Sequence, residues 1–261
     1  MVVQVELVRT FFDRNSVHDL RALIGHYAKS EFESPYRSTV PLLSLLRDGR
    51  SIFQEMVVSC GFPAEPDLHF EFKVSPRLGR GKASHTDLMV SAGNDCMAIE
   101  AKWTEPPYPT VSEWMRPNGQ ESENRDKVIA GWLKLVQRFA AKPLRAEHVE
   151  AVAYQTIHRA ASACFLGERP RLSYLQFVSD SHGDSTMRDK RIADLDRFRS
   201  ALGRPDGFPF RLIEIDIEPT REFERLAPLQ KGAAQTAMAV KQALISSALF
   251  SFKSMRTHIL P

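Results

Sequence analysis

The sequence has few cysteines, and none is spaced to bind zinc or to form a disulfide framework. Cys60, Cys96 and Cys164 are the only three in 261 residues, they lie far apart, and no CxxC pair occurs. An odd number without paired spacing argues against a secreted disulfide scaffold and fits a reducing compartment. We therefore expect a cytoplasmic protein.

Long apolar runs are also absent. No stretch approaches the roughly 18 apolar residues that a membrane-spanning helix needs. The start, MVVQVELVRTFFDRN, lacks the basic region, the apolar stretch and the small-residue cleavage site of a secretory signal. We expect no membrane partner.

Several common enzyme motifs are missing as well. The chain contains no GxxxxGK[ST], no GxGxxG after a strand, no GxSxG and no HExxH, so nucleotide-binding, hydrolase-elbow and zincin functions lack support. The net charge is only +3, so any nucleic-acid surface must be local. An apolar content of 43% with 26% charged residues is ordinary for a globular protein and excludes global disorder.

The hydrophobic pattern changes period along the chain. Residues 15–60 have helical spacing, broken at Asp48-Gly49 and stopped at Gly61-Phe62-Pro63. The period then becomes two in DLHFEFKV, SHTDLMVS and CMAIEAKW, which predicts an antiparallel meander of three strands. Residues 104–120 carry four prolines and predict a loop.

The second half alternates helices and strands. Helical patterns cover about 123–141 and 146–165, and RLSYLQFVSD predicts a fourth strand. After the polar turn SDSHGDS, the helix TMRDKRIADLDRFRSAL and the strand FRLIEIDIEP predict a parallel βαβ unit. A helical pattern over 221–251 ends the chain. We expect one α/β domain over 1–261, with N-terminal helices (1–62), a core (63–180), a βαβ continuation (181–219) and a C-terminal helix (220–261) that forms a helical extension.

The turn between the second and third strands sets their register. Gly93-Asn94 is a two-residue turn typical of a β-hairpin. Counting outward from it, Asp87 faces Glu100 and His85 faces Lys102, so these four residues share one face. The other face collects Thr86, Leu88, Val90, Met97, Ile99, Ala101 and Trp103, which are mainly apolar and suited to packing under helices.

Two carboxylates on one strand pair need a counter-charge. Directly opposite side chains lie about 5 Å apart at Cβ, where like charges repel. A Mg²⁺ or Mn²⁺ ion would relieve this, because Mg²⁺ takes one or two carboxylate ligands and completes its shell with water and substrate phosphate. The ammonium of Lys102 would stabilise the attacking hydroxide. Asp87, Glu100 and Lys102 therefore predict phosphodiester hydrolysis.

These residues resemble the motif of the PD-(D/E)xK nuclease superfamily. Asp87 lies on the second strand of a meander, and Ile99-Glu100-Ala101-Lys102 follows on the third as hydrophobic-Glu-x-Lys. Thr86 stands where the motif has proline. The resemblance implies a restriction endonuclease-like core with a mixed sheet flanked by helices, and Mg²⁺-dependent cleavage of DNA, less often of RNA, in restriction, repair or defence. It also allows a homodimer.

The resemblance implies further site residues. A helical acid often joins the metal site, and Glu55 in SIFQEMVVSC is the first candidate, with Glu33 behind it. Some members place a glutamine on the helix after the third strand. Gln155 and Gln137 both qualify, and we expect Gln155 to contact the substrate.

Basic and aromatic loops are candidates for nucleic-acid binding. Arg77, Arg80 and Lys82 in the loop PRLGRGK could clamp a phosphate backbone or could simply be solvated. His85 could touch phosphate or could be a polar residue at a strand end. The proline-rich loop carries Tyr108, Trp114 and Arg116, which could stack on bases or simply pack on the surface. In TMRDKRIADLDRFRSAL, acids interleave with the basic residues, which favours a solvated helix face with local ion pairs.

Three other interpretations remain open, one of which is a hydrolase of small phosphodiesters or nucleotides. A solvated strand face with cross-strand ion pairs would contain the same letters as the proposed site. A catalytically inactive nuclease-fold module that binds nucleic acid or a protein partner would also fit the modest net charge. The agreement of turn, Asp87, Glu100 and Lys102 on one face favours the nuclease.

Overall fold

One eight-stranded sheet with helices on both faces organises the protein. The computed structural model describes residues 6–116, 122–180 and 185–261. The strands are β1 (Glu6–Phe12), β2 (Asn15–Asp19), β3 (Asp67–Val74), β4 (Ser84–Ala92), β5 (Asp95–Lys102), β6 (Arg169–Val178), β7 (Phe210–Pro219) and β8 (Phe250–Ile259). The helices are α1 (Leu20–His26), α2 (Thr39–Asp48), α3 (Arg50–Ser59), α4 (Val111–Met115), α5 (Glu123–Val136), α6 (Tyr154–Leu166), α7 (Ser185–Ala201), α8 (Arg221–Leu226) and α9 (Ala234–Ser246).

The strand order is β2-β1-β3-β4-β5-β6-β7-β8. Strands β3, β4 and β5 form the predicted antiparallel meander. Strands β6 and β7 are parallel, with α7 between them along the chain, so the predicted βαβ unit is confirmed. Four of the seven strand pairs that the structure describes are antiparallel. The mixed α/β class is therefore confirmed.

Two apolar cores lie on opposite faces of the sheet. The first-face core joins apolar side chains of α1, α2, α3 and α9 to those of the sheet, among them the fully buried Leu88 and Ile99. The second-face core joins α5, α6 and α7 to Met89 and Ala98. Strands β4 and β5 supply both cores because successive side chains point to opposite faces.

The prediction of N-terminal helices over 1–62 is wrong at its start. Residues 6–19 form the β1–β2 hairpin, and β1 pairs in parallel with β3. Helix α1 begins only at Leu20, because the Asp19 side chain caps it by accepting from the Ala22 N–H at 2.7 Å. The helical pattern of VHDLRALIGHYA extended one strand too far, because residues 15–19 pair with β1, which is itself held in the sheet by the distant β3.

The predicted C-terminal helix over 220–261 is also wrong in part. Helices α8 and α9 form, but α9 ends at Ser246, and residues 250–259 are the edge strand β8, antiparallel to β7. The segment FSFKSMRTHI alternates, with Phe250 buried and Ser251 and Lys253 exposed. This period of two was the local signal for a strand. The C-terminal extension therefore completes the sheet instead of being wholly helical.

Smaller corrections concern loops and helix ends. The proline-rich segment contains α4, which begins because Thr110 and Glu113 form a capping box. The helix predicted over 123–141 is α5 followed by a 3₁₀ turn, and that over 146–165 is a 3₁₀ turn followed by α6. Part of the predicted SDSHGDS turn, 181–184, lies outside the described residues. None of the described helices has both the length and the apolar character needed to cross a bilayer.

Candidate active site

The β4–β5 hairpin has the register that its turn predicts. Gly93 takes the left-handed φ of 58°, which glycine adopts without steric cost. The paired residues run from Ala92↔Asp95 to Leu88↔Ile99. The ladder stops one residue short of Asp87, where the Asp87 Oδ2 atom accepts from the Ala101 N–H at 2.8 Å. The carboxylate is therefore fixed against β5.

The three predicted catalytic residues come together at this end of the hairpin. Glu100 is 2% exposed, and its Oε1 atom lies 2.8 Å from the Lys102 Nζ. The Lys102 side chain is 11% exposed. Asp87 and Glu100 are close enough to perturb each other's ionisation. The sequence therefore predicted correctly that Asp87, Glu100 and Lys102 form one cluster.

Helix α6 adds two polar side chains to this cluster. Gln155 donates from Nε2 to Glu100 Oε1 at 2.6 Å. Arg159, one helical turn later, donates from Nε to Glu100 Oε2, and its terminal nitrogen lies 3.8 Å from Asp87 Oδ1. Residues four apart on a helix share a face, so α6 presents both to the acids. Of the two candidate glutamines only Gln155 reaches the site, because Gln137 bonds to the loop at Lys142 and Leu144.

Arg159 was missed by the sequence analysis. Its guanidinium is buried between the carboxylates and also donates to Ser84 Oγ at 2.7 Å. Ser84 in turn lies 2.8 Å from the Nδ1 of buried His158. The only local signal was the spacing of Arg159 from Gln155. Nothing in the sequence indicated that this helix face packs over Asp87 and Glu100.

In β3 and β4, the face of the sheet to which alternate side chains point switches at the level of Glu71 and Asp87. On β3, Phe70 belongs to the first-face core and Phe72 to the second-face core, although residues two apart normally share a face. Between them Glu71 has a φ of 52°, in the left-handed region, and the β3–β4 pairs omit Glu71 and Asp87. Counting alternate residues from the turn therefore does not predict which face a side chain beyond Asp87 points to.

This crossover corrects the prediction for His85. We expected His85 to share a face with Asp87, but its Nδ1 lies 3.1 Å from Glu71 Oε2, and its side chain is 46% exposed. Ser84 takes the place on the second face, where it contacts Arg159. His85 is therefore a polar residue on the exposed side of the strand and is not part of the acid cluster.

The predicted helical acid is wrong too. Glu55 is exposed on α3, which packs against α2 and β8, and no described contact joins it to the acid cluster. Glu33 is half-buried, and its backbone carbonyl accepts from the Gly232 N–H. Another acid that acts on the cluster is Glu71 of β3, whose charge helps to raise the pKa of Asp87. Neighbouring strands, not α3, surround the site.

Burial and neighbouring charges shift the pKa values of the Asp87 and Glu100 carboxyls in opposite directions. Burial, reinforced by Glu100, raises the pKa of Asp87 well above its usual range, although Arg159 and Lys102 oppose this. Burial also favours the neutral form of Glu100, but Arg159 and Lys102 outweigh it and lower the pKa of Glu100. The surroundings therefore favour the carboxylate form of Glu100 and the protonated form of Asp87.

The donor set fits a hard divalent cation with few protein ligands. Among the described residues no group of three or more His, Cys, Asp or Glu side chains could hold a metal. Mg²⁺ needs only one or two carboxylates, since water and substrate phosphate complete its shell. Asp87 and Glu100 supply these, and the buried Oε1 of Gln155 has no hydrogen-bond partner in the described part of the chain. The residues present therefore fit Mg²⁺ or Mn²⁺.

A cavity of about 200 Å³ opens beside these residues, and we call it the flanking pocket. It is lined by Lys102 and Gln155, by the proline-rich loop at Tyr108, and by α7 at Lys190 and Arg197. We predicted that α7 is a solvated helix face, but the helix also forms one wall of this pocket. Two of its arginines, Arg191 and Arg199, are buried.

The other predicted nucleic-acid contacts lie in separate loops. Arg77, Arg80 and Lys82 are exposed in a loop that docks on α5, where Arg80 and Asn124 exchange two hydrogen bonds of 2.7 Å. Trp114 stacks on Tyr154 with ring centroids 3.9 Å apart, so it packs within the fold. In the proline-rich loop, Tyr108 and Arg116 remain exposed.

The comparisons with known proteins identify one family. The model of the family described as "Domain of unknown function (DUF6946)" matches residues 14–214. This span contains β3 to β6 and every residue of the acid cluster. No curated protein and no solved structure matches the chain.

Proposed function

The chain belongs to the DUF6946 family, and we propose that it is a metal-dependent nuclease of the PD-(D/E)xK type that hydrolyses phosphodiester bonds of DNA or RNA. One observation carries the proposal. Asp87 and Glu100 on adjacent strands meet beside Lys102, next to a cavity with basic walls. Buried acids of this kind are costly for stability and cluster at functional sites.

The chain path around the acids supports the resemblance. Asp87 lies on the second strand of the meander, Glu100 and Lys102 lie on the third, and Gln155 lies on a later helix. Strand β6 then returns parallel to β5. This arrangement fits a restriction endonuclease-like core, which we propose for residues 63–180.

Each residue has a role that its contacts suggest. Asp87 and Glu100 would hold Mg²⁺ or Mn²⁺, which when bound offsets negative charge on the reacting phosphate. Lys102 places its ammonium at the same spot and stabilises the attacking hydroxide. Gln155 orients Glu100 through its 2.6 Å hydrogen bond. Arg159 balances the two acids before substrate arrives.

Cleavage assays with an isosteric variant test this proposal. Purified protein is incubated with plasmid, single-stranded DNA and RNA, with Mg²⁺, Mn²⁺ or a chelator. We expect metal-dependent cleavage that Glu100→Gln lowers by about 10²–10³-fold, because the variant loses a charge that positions the metal. Glu55→Gln is the matched control and should cleave like the wild type, since Glu55 is exposed on α3. Cleavage that persists in chelator, or that survives in Glu100→Gln, contradicts the proposal.

A non-catalytic nucleic-acid-binding module is the second candidate, and one observation favours it. The Arg159 guanidinium already bonds to Glu100 and lies near Asp87, so it supplies the positive charge that a metal would bring. Calorimetric titration with Mn²⁺ separates the two candidates. Binding that Asp87→Asn removes supports the nuclease, and no binding supports the module.

A further inference from the structure

The flanking pocket is too small for a duplex, and one nucleotide bound there would extend partly into solvent. Its volume of about 200 Å³ lies below the roughly 300–1,000 Å³ of sites that enclose drug-sized ligands. It adjoins the acid cluster directly, since Lys102 and Gln155 line the pocket and also bond to Glu100. A group held there would sit next to the bond that is cut.

The charge of the pocket favours a phosphate. Lys102, Lys190 and Arg197 line it, and among the described residues no ion pair involves Lys190 or Arg197. Asp194, an acid in the described lining, accepts from the Ala153 N–H at 2.7 Å and from a threonine hydroxyl, and its charge also interacts with Arg197. The described lining still carries more positive than negative charge, and Lys190 and Arg197 are exposed.

The remaining walls suit an unpaired base. Tyr108 is 46% exposed and lines the pocket together with Pro106 and Pro107, so its ring offers a face for stacking. Gln155 is only 6% exposed, and its Oε1 has no hydrogen-bond partner in the part of the chain that the structure describes. A buried acceptor of this kind requires a donor, and base amino groups and sugar hydroxyls are donors.

We propose that the flanking pocket binds one unpaired, phosphorylated nucleotide beside the scissile bond, so that the enzyme acts on single strands or frayed ends and not inside an intact duplex. The inference rests on the proposed nuclease function. A paired base cannot present its face to Tyr108 while it stays stacked in a helix, whereas a single strand exposes every base.

Binding of a short oligonucleotide in chelator tests the pocket without any chemistry. The probe is the 5′-phosphorylated dinucleotide pdTpdT, and affinity is measured by calorimetry at several salt concentrations. In the double variant Lys190→Ala/Arg197→Ala we expect the slope of log K against log salt to become shallower, by about 0.7 for each phosphate contact that is lost. Tyr108→Ala should weaken binding by about fivefold or more, as expected for a lost stacking partner.

The control replaces two exposed cations far from the pocket. Arg21→Ala/Lys231→Ala removes one arginine and one lysine from α1 and a surface turn, and it should bind pdTpdT like the wild type. All replaced side chains in both double variants are exposed, and circular dichroism checks their folding. Equal affinities for both double variants and the wild type would overturn the pocket assignment.

Cleavage of matched substrates separates this inference from the proposed function. We expect a single-stranded oligonucleotide to be cut at least about tenfold faster than the same sequence in a blunt duplex, since unpairing costs a few kcal/mol. Pocket-dependent binding of pdTpdT without any cleavage would support the pocket and refute the nuclease. Cleavage at equal rates on both substrates would support the nuclease and refute the pocket.

Discussion

Replacing Arg159 by methionine should destabilise the protein strongly when divalent cations are chelated. The guanidinium is buried, bonds to Glu100 and Ser84, and lies 3.8 Å from Asp87 Oδ1. Methionine keeps an unbranched apolar stem but leaves the two acids without this charge. Removing one partner of a buried ion pair costs about 3–5 kcal/mol. Because Lys102 stays 2.8 Å from Glu100, we expect the lower end, a loss of about 3 kcal/mol.

Mg²⁺ should reverse most of this loss. A ligand that binds only the folded state at 100 times its Kd stabilises it by about 2.7 kcal/mol. In the wild type the ion competes with the Arg159 guanidinium for the acids, whereas in Arg159→Met it meets them unpaired. The added stability should therefore be larger in the variant than in the wild type.

Urea unfolding followed by tryptophan fluorescence measures both effects, in chelator and in saturating Mg²⁺. The control Arg21→Met removes an exposed arginine from α1 and should change the free energy of unfolding by less than about 0.5 kcal/mol. The reasoning is refuted if Arg159→Met is as stable as the wild type in chelator. It is also refuted if Mg²⁺ stabilises the variant no more than the wild type.

Three further predictions concern the packing around the site. Burial, with help from Arg159, holds the pKa of His158 well below its usual range, so the unfolded chain binds a proton below about pH 6.5 while the folded chain does not. As the pH is lowered below about 6.5, the free energy of unfolding should therefore decrease, by up to about 1.4 kcal/mol per pH unit. His158→Asn should make this decrease smaller in urea titrations. All three cysteines are buried, and burial raises the pKa of Cys96 to about 12. A thiol reagent at mildly alkaline pH should therefore label no cysteine in the native protein and three in urea. Rapid labelling of the native protein would contradict this. A Cβ on Gly131 of α5 would lie 2.6 Å from the Leu78 backbone N, so Gly131→Ala should cost about 1–3 kcal/mol in thermal unfolding. Gly25 is also helical, but a Cβ there would meet open space. Gly25→Ala should therefore raise the free energy of unfolding by about 0.5–1 kcal/mol.

The sequence by itself determined the elements whose signals are local. The strands β3 and β7 have the predicted bounds because each is a continuous β-compatible run flanked by proline-containing turn segments. The Gly93-Asn94 turn determined the hairpin register, since a two-residue turn leaves no freedom in the pairing. Asp87, Glu100 and Lys102 could therefore be brought together by counting residues.

The tertiary structure alone decided which other groups surround those three. Arg159 reaches the acids because α6 packs across β4 and β5, and a docking of that kind depends on surfaces far apart in the sequence. The change of face at Glu71 could not be counted from the turn, because it occurs where the ladder is interrupted. Likewise, β1 and β2 are strands because partner edges were available to them. Local propensity cannot contain such information, since burial and pairing are properties of the assembled sheet.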